Sequence, residues 1–125
     1  MMSRVLVWGF SNNLAGTEAV VANYISAIRD TAFDVLTYEE PTNYASLFEG
    51  DNRFFLLPRK SQNPLKYARA LHAHMRGHAS EYAALWCNLN SRANIDVVKL
   101  AGRYGIPRII AHSHNSMKVG GLRTR

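Results

Sequence analysis

Apolar residues in this chain fall either into short unbroken runs or into longer stretches where they recur every three or four positions. That alternation predicts strand–helix pairs. Val5-Leu6-Val7-Trp8, entered at Arg4, reads as a first buried strand. A loop with Gly9, Ser11, Asn12, Asn13 and Gly16 leads to a helix from about Thr17 to Arg29. Val21, Ile25 and Ile28 stand there at i, i+4 and i+7, with Val20 and Tyr24 alongside. Phe33 to Thr37 is a second strand, and the polar connection from Tyr38 to Asn52 holds a short helix around Ala45 to Phe48. Arg53 to Leu57 is a third strand, ended by Pro58. After the polar loop Arg59 to Asn63, Pro64 sits where a first helical turn tolerates proline. The helix from Pro64 to His78 places Leu65, Ala68, Leu71 and Met75 on one face. Ala83 to Cys87 is a fourth strand. Ser91 caps a helix from Arg92 to Tyr104, whose apolar positions include Ile95, Val98 and Ala101. Gly105 supplies a left-handed stop, and Arg108 to Ala111 is a fifth strand.

Strand–helix pairs of this kind predict an α/β fold: a three-layer α/β/α sandwich around a mainly parallel sheet, joined by right-handed crossovers. Ligands of such sheets bind beyond the carboxyl ends of the strands. The loop after the first strand and the residues after the fifth are therefore the places to look for function.

Composition narrows the setting. The 125 residues make one domain, spanning 1–125, and a chain that is 47% hydrophobic and 19% charged is globular rather than disordered. The single cysteine, Cys87, excludes an internal disulfide framework and lies in an apolar run as a buried core residue, so a reducing cytoplasmic compartment is the default. No stretch reaches the roughly 18 apolar residues of a membrane-spanning helix, and the N-terminus lacks the features of a signal peptide. A net charge of +6 and a pI near 9.8 favour anionic partners, whether phosphates, nucleic acid or a membrane surface.

Three segments could carry chemistry. Asn12 to Glu18, with Gly16 and Thr17 opening a helix, offers backbone N–H groups and a positive helix end to a phosphate. Without a G-x-G-x-x-G fingerprint or a Walker lysine it also reads as a plain strand-to-helix turn. Ala111 to Ser116 puts His112 and His114 directly after an apolar strand. Their i, i+2 spacing and the lack of a nearby carboxylate or cysteine argue against a metal site, which leaves a histidine that bonds a ligand or transfers a proton, or an ordinary polar loop. Arg59, Lys60, Lys66, Arg69, His72, His74, Arg76 and His78, interleaved with Leu65, Tyr67, Leu71 and Met75, resemble an amphipathic surface helix, which reads first as a solvated face and otherwise as a surface for anionic lipid or phosphate-bearing substrates. No nucleic-acid motif is present, so nucleic acid is not an expected partner. Glu39 and Glu40 are adjacent and diverge, and no nucleophile elbow or zinc-protease motif occurs.

Taken in order, these segments resemble the N-terminal domain of glycosyltransferases with two Rossmann-like domains (the GT-B architecture), of the retaining, family-four-like bacterial group that builds capsular and exopolysaccharides. The matching residues are Gly16-Thr17-Glu18, then Leu57-Pro58-Arg59-Lys60 with Asn63 to Tyr67, and finally Arg108 to Ser116 after an Ala-Gly-x-x-Gly-Ile-Pro-like lead-in at Ala101 to Pro107. The likeness spans essentially the whole chain. It departs at Leu85 to Ser91, where Asn88 and Asn90 stand in place of the histidines that relatives often carry.

The resemblance implies a Rossmann-like acceptor-side domain of a hexosyltransferase. A sugar would pass from a nucleotide-sugar donor, a substrate rather than a cofactor, to a lipid-linked saccharide acceptor at the inner face of the cell membrane, with no metal needed. It implies that Gly16 and Thr17 approach the donor phosphates and that His114, or else His112, contacts the donor sugar. Arg59, Lys60, Lys66, Arg69 and Arg76 would face the acceptor or the membrane. The sequence ends at Arg125, so the donor-binding C-terminal domain is expected to be missing or separate and the chain alone to be inactive. Exposed apolar surface would then promote homo-oligomers. The other expectation is a naturally short, non-catalytic subunit or a nucleotide- or membrane-binding module.

Overall fold

Five strands pair side by side and all in parallel, in the order β3-β2-β1-β4-β5. The computed structural model describes residues 3–10, 17–87 and 93–111. The elements in chain order are β1 (Ser3–Trp8), α1 (Thr17–Ala27), β2 (Thr31–Thr37), a 3₁₀ segment (Thr42–Phe48), β3 (Arg53–Leu56), α2 (Pro64–His78), a 3₁₀ turn (Ala79–Glu81), β4 (Tyr82–Cys87), α3 (Ala93–Arg103) and β5 (Ile109–Ala111). This is the Rossmann-like α/β fold that the alternation predicts, with strand limits within two residues of the sequence reading.

The chain winds outward from β1 to β3, then crosses back and winds the other way through β4 and β5. Right-handed crossovers running in opposite directions put their helices on opposite faces, and two separate cores result. On one face Leu6, Trp8, Leu36 and Leu85 pack against Tyr67, Leu71 and Met75 of α2 and Val97, Leu100 and Ala101 of α3. On the other, Val7, Phe33, Val35 and Trp86 pack against Val21, Ala22 and Ile25 of α1, with Tyr44, Leu47 and Phe48 of the 3₁₀ segment beside them. Successive residues of β1 serve opposite cores because strand side chains alternate.

The helices are buried on stripes that differ from the periodicity reading. In α2, Tyr67, Leu71, His74 and Met75 are buried, whereas Leu65 is 65% exposed. In α3, among the described side chains, Val97, Leu100 and Ala101 are buried and Val98 is only half-buried. Val20 and Tyr24 of α1 are exposed. They line a groove of about 430 Å³ with Val5, Ile28, Phe33, Trp86 and Ile110. Residue type sets a helix's apolar stripe only to within one flank, and the angle at which the helix meets the sheet decides the rest.

Local signals fix several ends. The Asn63 side chain accepts from the Lys66 N–H at 3.0 Å, and Pro64 follows it at the first helical position of α2. Gly105 has φ +86°, the left-handed stop expected after α3. Gly9, directly after β1, has φ +93°, so the chain leaves the central strand by a turn that side-chain-bearing residues resist.

Candidate functional site

The order reverses between β1 and β4, and the carboxyl ends of those strands flank the crevice where sheets of this kind take ligands. Trp8 ends β1 and Cys87 ends β4, paired in register. Around this mouth the described residues form an aromatic and cationic cluster that periodicity does not reveal. The Trp8 ring meets Tyr38 edge-on at 6.2 Å, and Tyr38 lies 6.4 Å from Tyr67 of α2. The Arg59 guanidinium sits over Tyr38 at 5.3 Å, and the Lys60 ammonium over Tyr67 at 5.8 Å.

Two carboxylates tie the cations down: Glu39 lies 3.9 Å from Arg59, and Asp96 of α3 pairs with Lys60. Burial pushes the Tyr38 and Tyr67 phenols above their ordinary value, so both carry their protons at neutral pH. Phenol O–H groups, aromatic faces and two cations at one sheet edge make a surface that binds hydroxyl-bearing or anionic groups. Cations set over aromatic faces are separated by connections of unpredictable shape, so the sequence shows Arg59 and Lys60 but not what they rest on.

The expected site residues fall into three groups. Gly16, His112 and His114 lie outside the described residues, as do Asn88, Asn90 and Ser91. Thr17 opens α1, the helix that follows β1, but its side chain is not described. Arg59 and Lys60 belong to the cluster at the mouth. Lys66, Arg69 and Arg76 are exposed along α2, and Arg69 and Arg76 flank a shallow hollow with His72. His74, placed by the sequence reading among these basic residues, is instead buried, 8% exposed. Cys87 is buried as expected, and burial raises its thiol to about 11.

A second polar cluster sits at the opposite, amino end of the strands. Asp34 of β2 is fully buried and receives Arg53 through two hydrogen bonds, 2.9 and 2.6 Å, Arg4 at 2.6 Å and the Tyr82 hydroxyl at 2.7 Å. Burial alone would raise this carboxyl, but the bonds from Arg53 and Tyr82 and the charges of Arg4 and Arg53 hold it below its ordinary value. His74 Nε2 lies 2.8 Å from the Tyr82 oxygen. Tyr82 donates its proton to Asp34, so the imidazole must donate to Tyr82 and is neutral with its hydrogen on Nε2. His78 stacks on His74 at 4.7 Å and meets Glu81 at 2.7 Å, and Glu81 returns to Arg53 at 3.1 Å. This network pins the starts of β1, β3 and β4 to the middle of β2, far from the ligand edge, and its role is structural.

Among the described residues no group of three His, Cys, Asp or Glu side chains could hold a metal ion, and no helix is long and apolar enough to cross a membrane. Compared with protein-family models, curated proteins and solved structures, the chain finds no match in any of the three.

Proposed function

We propose that this chain is the acceptor-side domain of a nucleotide-sugar-dependent glycosyltransferase, moving a sugar to a lipid-linked saccharide at the inner face of a bacterial membrane. The observation that carries the proposal is the strand order. The switch point between β1 and β4 leaves the carboxyl ends of both strands beside one crevice, with the Arg59 and Lys60 cluster at its mouth, as a ligand-binding sheet of this kind requires. In this reading Gly16 and Thr17 meet the donor phosphates, and His114, or else His112, bonds the donor sugar near the reacting carbon. Arg59 and Lys60, set over Tyr38 and Tyr67, receive the acceptor, since aromatic faces and cations suit a sugar carried on phosphate. The donor-binding domain is supplied by a further domain or a separate chain.

The test is turnover with the donor domain supplied, comparing His114→Ala, His112→Ala and the parent. Loss of about a hundredfold or more in one of the two histidine variants is expected for a group acting on the reacting centre. Full turnover in both sinks the assignment.

The exposed stripe of Lys66, Arg69 and Arg76, beside the 65% exposed Leu65, favours a second reading as a peripheral module on anionic membranes, with no transferase partner. Saturable vesicle binding that weakens with salt, and no co-purifying donor-binding chain, would support it.

A further inference from the structure

Running on from Lys60 and Tyr67 of the mouth cluster, α2 and α3 do not close against each other along their length. A cleft of about 440 Å³ lies between them, in the size range of small-molecule sites. Its floor is apolar: Tyr67, Leu71 and Leu100 are all buried, with Ala68 at the side. Its walls are cationic. Lys99 and Arg103 stand one helical turn apart on α3, Lys60 closes the upper end, and His72 reaches in from α2, 3.4 Å from the Tyr104 hydroxyl.

Among the described residues the only carboxylate lining the cleft is Asp96, which Lys60 already holds. Among the described residues neither Lys99 nor Arg103 has an ion-pair partner. Two cations on one wall of a concave surface repel each other, and low-dielectric walls concentrate their field on whatever enters. An anion relieves that repulsion, and a guanidinium beside an ammonium matches the oxygens of a phosphoryl group.

We propose that the α2–α3 cleft binds a small phosphate-bearing organic anion. Its phosphoryl oxygens meet Lys99 and Arg103, and its apolar or planar body lies on Tyr67, Leu71 and Leu100. The cleft shares Lys60 and Tyr67 with the cluster at the mouth, but its phosphoryl contacts, Lys99 and Arg103, lie outside that cluster, so their substitution tests it apart from the transfer reading. A mononucleotide in solution and a phospholipid headgroup share this chemistry. The enclosed floor favours the soluble ligand, because a bilayer surface contacts protrusions more readily than the bottom of a cleft.

The experiment is calorimetric titration of the whole chain with ADP and with inorganic pyrophosphate, and a parallel sedimentation assay with phosphatidylglycerol vesicles. The variants are Lys99→Glu/Arg103→Glu, Arg29→Glu/Arg108→Glu with the same net change of charge elsewhere on the surface, and Ala68→Trp, which fills the cleft without altering charge. Each is first checked for native circular dichroism. ADP should bind more tightly than pyrophosphate. Its affinity should fall about tenfold or more in the Lys99/Arg103 variant and in Ala68→Trp, as expected for losing charge-assisted hydrogen bonds or the space itself. It should change by less than about threefold in the Arg29/Arg108 variant, where only long-range field is altered. Equal weakening in both charge variants, full affinity in Ala68→Trp, or binding to vesicles with none to ADP or pyrophosphate would overturn the proposal.

Discussion

The Tyr82 hydroxyl at the start of β4 donates a 2.7 Å hydrogen bond to Asp34 of β2, reaching across β1, which lies between the two strands. The contact joins the two halves of the sheet on either side of the switch point. Asp34 also carries Arg4 and Arg53, so one buried carboxylate holds together residues from four of the five strands.

Removing that carboxylate leaves the two guanidiniums and the phenol without their acceptor. Asp34→Ala should cost about 3 kcal/mol or more, the penalty typical of breaking a buried ion pair on one side. Tyr82→Phe removes the bond to the charged Asp34 and the one received from His74, and should cost about 2–3 kcal/mol. Urea unfolding of both variants checks the order, and an Asp34→Ala chain as stable as the parent would remove the network from the account.

Burial, chiefly, and the stacked His78 lower His74 to about 4 from an ordinary 6.5. The unfolded chain therefore takes up a proton before the folded one does as pH falls. Stability should be full above about pH 6.5 and should decline between 6.5 and 4, by on the order of 3 kcal/mol for a shift of this size. Asp34, held below its ordinary 3.8, adds a further loss in more acid solution as the unfolded carboxylate protonates first. Thermal unfolding across this range should lose its upper slope in His74→Gln, and an unchanged slope would place the titration elsewhere.

Two glycines with open space around them should respond in opposite directions to alanine. Gly105 has φ +86° and Gly77 lies in the last turn of α2. Gly105→Ala should destabilise by about 1 kcal/mol, because a Cβ disfavours the left-handed region. Gly77→Ala should stabilise by up to about 0.5–1 kcal/mol through helix propensity. Denaturation midpoints measured together test the contrast.

Cys87 is 1% exposed, and burial pushes its thiol up to about 11. At pH 8 roughly one thiol in a thousand is ionised, so a disulfide reagent should react slowly with the native chain and at the ordinary rate in denaturant. Fast native reaction would mean that the end of β4 opens.

The groups that bear chemistry were less legible in the sequence than the elements that present them. Arg59 and Lys60 stand out as a polar loop, but their seats on Tyr38 and Tyr67 lie in the preceding connection and on the helix that follows. Asp34 is visible only as one charge inside the apolar run Phe33 to Leu36, and its partners are 30, 19 and 48 positions away. His74 looks like one more member of a basic stripe until the helix is set against the sheet.

By itself the sequence determined the number, type and order of the main elements and the ends that local chemistry sets: Pro64 after Asn63, Gly105 after α3, the apolar runs of β1 and β4. Those follow from side-chain alternation, helix period and allowed backbone angles, all properties of a few neighbouring residues. Only the tertiary structure decided which flank of each helix is buried, which cations find a carboxylate and which are left lining the α2–α3 cleft, and that Asp34 is the junction of the sheet. Those depend on distances between residues far apart in the chain, which a linear pattern does not carry.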